Sequence, residues 1–358
     1  MEAVIDAAVV ATTVLLVAVT LLPLSGSHAW WVRMWDFPRV QIAVGLALAA
    51  GLALVLPGPL RWGVVAAAVG CLGYQLWRIL PFTPMVRKEV EFAPGQASGD
   101  VTLLAANVLM ENEKHDRVRA MVERVDPDVL LLMETDARWL EAMEPILARY
   151  PTILRAPRDD CYGMAFATRL EAASARFARL TEEETPSLLA ELRTRDGAAF
   201  HFVGLHPQPP VPGVDTEERD AQILFAARFA RKDDMPLVVM GDFNDAAWSD
   251  TARRFKRYGR YVDPRVGRGI YASFDANHFL IRCAIDQLYV TDDVAVAEFG
   301  LGPHVGSDHF PVIARIRVDR ELAARLNRPT PRIDPDEEVG LDDRVERYRR
   351  RLTAVGAG

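Results

Sequence analysis

Polar residues able to do chemistry stand where apolar runs end. The run PLVVM breaks into Gly241-Asp242-Phe243-Asn244-Asp245, which sets a carboxylate and a carboxamide two residues apart. On an extended chain they project in the same direction, and Gly241 permits the turn. Taken alone, the segment reads equally well as an Asx turn. Asn107 closes another apolar run, Glu134 follows LLLM, His206 follows FVGL, Asp286 lies within AIDQL, and Gly306-Ser307-Asp308-His309 precedes the last run. Acid, amide and imidazole groups at so many strand ends exceed what turns require. Oxygen donors suit a hard divalent cation, and an imidazole beside a carboxylate suits proton transfer.

Bringing these groups together requires strands whose ends meet. From residue 101 short apolar runs alternate with helical and turn segments. VTLLAANVLM, DVLLLMET, GMAFAT, LLAELRT, AFHFVGLH, PLVVMGDF, AIDQLYVT and PVIARIRV read as strands. HDRVRAMVERV reads as a helix with Val118, Met121, Val122 and Val125 on one face. TEERDAQILFAARFAR, residues 216–231, opens on Thr216 and acids and closes on Arg, a second well-signalled helix. The pattern is mixed α/β, without a solenoid period.

The first eighty residues are of another kind. Residues 7–24 carry no charge over 18 positions, about the length that spans a ~30 Å hydrocarbon core. Residues 40–60 are also uncharged, and 62–77 follow a Pro-Gly-Pro turn and Arg61. Glu2 and Asp6 stand where a signal peptide would be basic. Three transmembrane helices are therefore expected within residues 1–85, then a linker over 86–99, a catalytic domain over 100–318 and a charged, solvated tail over 319–358. The tail carries Arg344, Arg347, Arg349, Arg350 and Arg351, with an anionic-lipid contact as the alternative. Arg33, Arg39, Arg78, Arg87 and Lys88 fall on one side of the three spans and Arg61 on the other, which places the domain on the cytoplasmic side of the cell (inner) membrane. Trp30, Trp31 and Trp35 read as an interfacial belt, with substrate contact as the alternative.

Composition bounds the rest. The chain has 358 residues, 50% hydrophobic and 25% charged, with three Cys, which excludes disorder, collagen and a disulfide scaffold. The net charge of -7 is concentrated in residues 98–318, where 27 basic face 35 acidic residues. That balance lacks the positive field of a non-specific nucleic-acid binder.

The ordered set Asn107, Glu134, His206, GDFN at 241–244, Ile285-Asp286 and SDH at 307–309 resembles the endonuclease/exonuclease/phosphatase superfamily, over roughly residues 100–318. Glu134 with the following RWLEAM and Tyr150-Pro151, His206-Pro-Gln-Pro-Pro210 and Trp248-Ser249 resemble its membrane-tethered branch, related to glycopeptide-resistance phosphatases. The resemblance implies a deoxyribonuclease I-like, two-sheet α-β-β-α sandwich behind an N-terminal transmembrane helical bundle. It implies a metal site of Glu134, Asn107 and Asp308, holding Mg²⁺ or Mn²⁺. It also implies a His309–Asp286 pair, a water oriented by Asp242, and hydrogen bonds to phosphate from Asn244 and His206. Gln287 departs from the His or Tyr that many members carry after Ile-Asp. Arg219 reads as a phosphate contact or an exposed helical residue, and Trp248 as a stacking surface or core. Cys161 and Cys283 read as a pair outside the cytoplasm or as ordinary thiols. His304, His278 and His201 receive no role.

The function expected is a membrane-anchored, metal-dependent phosphoesterase acting on a lipid-linked or membrane-proximal phosphate or pyrophosphate, a sphingomyelinase-like headgroup cleavage being a narrower variant. The alternatives are an endo- or exonuclease and a non-catalytic membrane-associated binding module. The partners expected are the lipid bilayer and a phosphorylated lipid or small phosphoester, with nucleic acid disfavoured and no obligate protein partner.

Overall fold

The structure is a computed structural model that describes residues 1–181, 185–229, 234–331 and 333–355. The N-terminal region forms helices α1 (Glu2–Leu21), α2 (Trp30–Arg33), α3 (Arg39–Ala53) and α4 (Leu60–Ile79). Two stretches, Ala3–Ser25 and Leu60–Phe82, each 23 residues, are long and apolar enough to cross a membrane. The middle span expected over 40–60 is helical only to Ala53. Its 15 residues rise about 22 Å, and the Trp30–Asp36 segment meets α3 at 76°, so the two count as a third span only if the bent pair is taken as one.

The rest of the chain follows as β1 (Asp100–Asn107), α5 (His115–Val125), β2 (Val129–Met133), α6 (Ala137–Leu147), β3 (Thr152–Ala156) and β4 (Met164–Thr168). Next come β5 (Glu171–Ala178), β6 (Ser187–Arg193), β7 (Ala199–Leu205), α7 (Glu217–Phe229), β8 (Leu237–Asp242) and α8 (Asp250–Gly259). Last are β9 (Tyr261–Val262), β10 (Asp286–Thr291), β11 (Ala295–Leu301), β12 (Val312–Arg317), α9 (Arg320–Leu326) and α10 (Pro335–Val355). Residues 230 and 231 of the expected helix over 216–231 lie outside the described residues.

Among the described residues two six-stranded sheets result, ordered β11-β12-β1-β2-β4-β3 and β5-β6-β7-β8-β10-β9. Helices cover their outer faces, giving the expected sandwich. Alternation along each strand assigns the faces. Leu103 and Ala105 of β1, Phe202 of β7, Val238 and Met240 of β8 and Leu288 of β10 fill the core between the sheets. Leu104 and Ala106 pack under α5 and α6, and Val239 and Tyr289 on the α7 and α8 side. β1 lies parallel to β2, and β7 to β8, whereas β12 and β10 run antiparallel to β1 and β8. The exits of β1, β2, β7 and β8 therefore coincide with the entrances of β10 and β12.

Two segments differ from expectation. The linker over 86–99 is packed: Val90 belongs to the inter-sheet core, and Ala93 N–H donates to the Val296 carbonyl at 2.8 Å. The tail over 319–358 forms α9 and α10 instead of staying solvated. Its charge hides a narrow apolar stripe: Ile333, Leu341 and Val345 are buried in the cluster over β7 and β8. Ion pairs Arg228–Glu346 and Arg257–Glu337, both at 3.3 Å, border that contact. The side chains of Arg344, Arg349 and Arg351 lie outside those described.

The helical region and the sandwich meet through buried polar contacts. Asp36 accepts ion pairs from Arg33 at 3.1 Å and Arg39 at 2.6 Å. Arg39 donates on to Gln75 of α4, and Gln75 to Thr20 of α1, tying the helices together. From the sandwich, Trp248 Nε1 donates to the Asp36 carbonyl at 2.6 Å, while Arg78 donates to the Trp248 carbonyl and pairs with Asp250. Trp248 is thus core, its ring edge-on to Phe82. Trp31 is half exposed, and Trp35 packs against the helices. Removing one partner of a buried pair strands the other charge, at a cost of about 3–5 kcal/mol. Asp36→Ala, which strands two guanidinium groups, should lower the thermal unfolding midpoint of the detergent-purified chain by a corresponding amount. A loss under about 1 kcal/mol, the scale of an exposed pair, would show that this junction is not held by Asp36.

Candidate active site

Residues of one strand parity reach the inter-sheet cleft together. Asn107 continues the face of Leu103 and Ala105, His206 that of Phe202, Asp242 that of Val238 and Met240, and Asp286 that of Leu288 and Val290. Asp286 stands directly opposite Asp242 in the β8–β10 register. Glu134, one residue past β2, departs from the strand path with φ +61°, and Asn244 follows β8 at φ +47°. At Gly241, φ is +145°, and a Cβ would lie 2.1 Å from the Leu205 carbonyl oxygen, so no other residue fits there.

All eight expected residues converge. Asn107 Nδ2 donates to Glu134 Oε1 at 2.7 Å and to Asp242 Oδ2 at 3.1 Å, while its Oδ1 accepts from Leu109 N–H. Asp242 Oδ1 accepts from Asn244 N–H at 2.9 Å. His309 Nδ1 is 2.7 Å from Asp286 Oδ2, and its Nε2 is 3.6 Å from Asp242 Oδ2 and 4.0 Å from Asp308 Oδ1. His206 Nε2 is 3.9 Å from Asp242 Oδ2, and its Nδ1 has no hydrogen-bond partner among the described residues. Asn244 Nδ2 donates to the Pro207 carbonyl at 2.9 Å.

Other groups hold this set in place. Ser307 Oγ donates to the Asn107 carbonyl and accepts from His309 N–H, and Ser273 Oγ accepts from Asp286 N–H. Arg219 is neither exposed nor in the cavity lining. It is buried, paired with Asp220 at 2.7 Å and Asp245 at 3.2 Å, and donates to the Asn244 carbonyl at 2.9 Å. Gln287 has the opposite parity to Asp286 and faces away from the cleft, accepting from Arg265 and donating to the Asp245 carbonyl. The His or Tyr that it replaces therefore concerns support rather than the reacting centre. Cys71, Cys161 and Cys283 are all free.

Glu134, His206, Asp242, Asn244, Asp308 and His309 line a cavity of about 440 Å³ whose remaining lining is mostly apolar. Met34, Phe37 and Pro38, from the loop between α1 and α3, line it as well, together with Pro209, Pro210 and Ile281. Met34, Phe37 and Pro38 carry no sequence signal for this place, since only the docked helices bring them there, whereas Pro209 and Pro210 belong to the segment after His206 that the sequence singled out. Ser273 was equally hidden, lying in an irregular segment far from any strand end.

Burial at this site concentrates negative charge. Glu134 is pushed up to about 7, chiefly by burial, against hydrogen bonds from Asn107 and Met110 and with help from Asp242. Burial also raises Asp308. Burial disfavours charge on His309, but Asp286 and Asp242 outweigh it and bring the imidazole to about 10, so it is protonated at neutral pH. His206 is lowered to about 4 by burial, which the Asp242 charge only partly opposes, and is neutral. The ligand atoms of Asp242, Asp286 and His309 lie within 4.8 Å of one another, as do those of Glu111, Glu134 and Cys161. Such an acidic cluster fits a divalent cation, whose charge would offset the burial that raises Glu134 and the smaller repulsion from Asp242. Asn107 presents its NH₂ to the carboxylates, so its service as a ligand requires the amide to turn.

A family model, Endonuclease/Exonuclease/phosphatase family, matches residues 104–309. The chain belongs to this family. Its members generally hydrolyse phosphoesters and are typically divalent-metal dependent. No curated protein matches the sequence. Among solved structures, an endonuclease/exonuclease/phosphatase family protein from Bacteroides thetaiotaomicron is 20% identical, with TM-score 0.52, over 62% of this chain and 98% of that one. The human Nocturnin catalytic domain with bound sulfate is 17% identical, TM-score 0.51, over 64% and 99%. A humanized D. rerio TDP2 is 12% identical, TM-score 0.51, over 62% and 100%. At these identities the likeness is one of fold. It covers the sandwich characteristic of the endonuclease/exonuclease/phosphatase family.

Glu134 must lose its proton to hold a cation, so the apparent affinity for a divalent metal should fall by up to about tenfold per pH unit below about 7. Without metal the sign for stability is the reverse. The folded state holds this proton more tightly than the unfolded chain, so the contribution is present below 4.5 and lost as pH rises through about 7. Thermal unfolding across pH with and without Mg²⁺ reads both, and Glu134→Gln should remove the part of the metal-induced shift's pH dependence centred near 7.

Proposed function

We propose that this protein is a membrane-anchored, metal-dependent phosphoesterase that hydrolyses a lipid-linked phosphate or pyrophosphate. The observation that carries the reading is the composition of the cavity. Its carboxylate and imidazole groups, with a bound cation, suit a phosphate, and Met34, Phe37 and Pro38 of the membrane-helix region supply part of its apolar lining. A substrate with a phosphorylated head and an apolar stem matches both kinds of lining. No Lys or Arg lines the cavity among the described residues. With the acidic charge of the domain, that leaves a nucleic-acid backbone little to follow. The sequence likeness of the His206-Pro-Gln-Pro-Pro210 and Trp248-Ser249 segments to the membrane-tethered branch supports the same substrate class.

Glu134 and Asp308, with Asn107 once its amide turns, would hold the cation, Mg²⁺ or Mn²⁺ by the chemistry of oxygen donors. Bound there, it would neutralise charge developing on the phosphoryl oxygens. Asp242 orients the attacking water and accepts its proton. Asp286 fixes the His309 ring through Nδ1, so the protonated Nε2 faces Asp242 and the phosphoryl group and stabilises negative charge in the transition state. His206 and Asn244 complete the phosphate contacts as neutral donors, and neither adds charge to the cluster.

The test is phosphate release from a polyprenyl pyrophosphate by the detergent-purified full chain. Release should require Mg²⁺, stop with chelator and fall by about 100-fold or more in Asp242→Ala, with the unfolding midpoint little changed. A preparation that releases no phosphate but cuts single-stranded DNA would move the reading to a nuclease.

For orientation, we propose from the count of basic residues that the catalytic domain lies on the cytoplasmic face of the cell membrane. Arg33 and Arg78, which bond to Thr251 and to Trp248 and Asp250 of the sandwich, support this reading. A reporter fused after residue 330 that is active only outside the cytoplasm would invert this placement.

A further inference from the structure

We infer that the turn Phe279-Leu280-Ile281 is inserted into the lipid bilayer beside α3 and joins the bilayer to the mouth of the catalytic cavity. Three consecutive bulky apolar side chains stand in solvent here: Phe279 is 79% exposed, Leu280 78% and Ile281 58%. Exposed runs of this kind mark a partner surface.

Its position identifies the partner. Gln41, in the first turn of α3, donates through Nε2 to the Leu280 carbonyl at 2.8 Å and to the Arg282 carbonyl at 3.5 Å. Residues 41, 44, 48 and 52 fall on one face of a helix, and Val44, Leu48 and Leu52 are exposed. That row is the lipid-facing stripe of α3, and Gln41 stands at its domain end. The turn is thus fixed where the stripe begins, at the level of the bilayer surface, where a short apolar element flanked by polar groups is stable. Arg282, immediately after the turn, is held by the Asp275 and Ala276 carbonyls, which keeps its charge on the domain side. Ile281 belongs both to the turn and to the cavity wall. A molecule lying in the outer part of the bilayer therefore meets the cavity without crossing water.

The inference rests on α1 and α4 crossing the membrane, and not on the identity of the substrate. It is tested with a nitroxide on Leu280→Cys in the full chain, reconstituted in phosphatidylcholine–phosphatidylglycerol bilayers. Collisions with oxygen, which partitions into hydrocarbon, are compared with those of a water-soluble nickel chelate. Val14→Cys on α1 serves as the lipid reference and Val339→Cys on α10 as the aqueous one; both positions are exposed in the structure. The unlabelled-variant chain gives the background from the three native cysteines. The expected result is an oxygen-to-nickel ratio at Leu280 several-fold above that at Val339 and toward that at Val14. A ratio equal to that at Val339 overturns the inference, and so does shielding from both reagents, which would mean that another protein surface covers the turn. A Val14 label found in water overturns the membrane anchoring as well. Phosphate release is read separately, so failure of the substrate reading leaves this measurement untouched.

Discussion

Glu134, Asp242, Asp286 and Asp308 are gathered at one end of a sheet sandwich with a single protonated imidazole among them. Burying that many carboxylates together is unfavourable, and the structure answers it locally. Asp286 is paired with His309, Asp242 accepts from Asn107 and Asn244, and Glu134 holds its proton up to about 7. The remaining excess of negative charge is what makes the site receptive to a cation. The surrounding architecture serves to keep this repulsive set from spreading. Two sheets fix the strand exits, Gly241 allows the backbone to pass Leu205, and Ser307 and Ser273 tie the loops that carry His309 and Asp286.

The second requirement is coupling to the helical region. Asp36 neutralises two arginines and lies under Trp248, four residues beyond Asn244. On the other side, His28 sits 3.1 Å from Asp220, which pairs with Arg219, and Arg219 holds the Asn244 carbonyl and Asp245. The segment after β8 is thus held from both sides by groups that reach back to the loop between α1 and α3. That loop also gives the cavity part of its apolar lining, so the helical region takes part in shaping the site as well as anchoring it.

The eight strands legible in the sequence are the interior ones. β3, β5, β9 and β11, which gave no usable signal, are the four edges of the two sheets. Most interior strands are buried on both faces and read as apolar runs, with β12 alternating, whereas an edge such as β5, EAASARFA, is largely exposed and has no such need. The same logic hid the amphipathic stripe of α10 beneath its charge. It also left the length of the middle membrane helix open, because hydropathy continues through a turn that the backbone makes at Leu54–Pro59.

The sequence by itself determined the family, the α/β class and long apolar runs, two of the three expected spans keeping a membrane-crossing length as helices, and it nominated the eight polar residues that the fold gathers. Each of these rests on local pattern: strand periodicity, uninterrupted apolar length, and polar residues at strand ends in a fixed order. Tertiary structure decided what depends on parts distant in the chain. It turned Arg219 inward as a support, faced Gln287 away from the cleft, placed Trp248 in the junction, and brought Met34, Phe37 and Pro38 into the cavity. It also set the charge states of Glu134, His206 and His309, because a pKa shift is produced by burial and by neighbours that only the fold assembles.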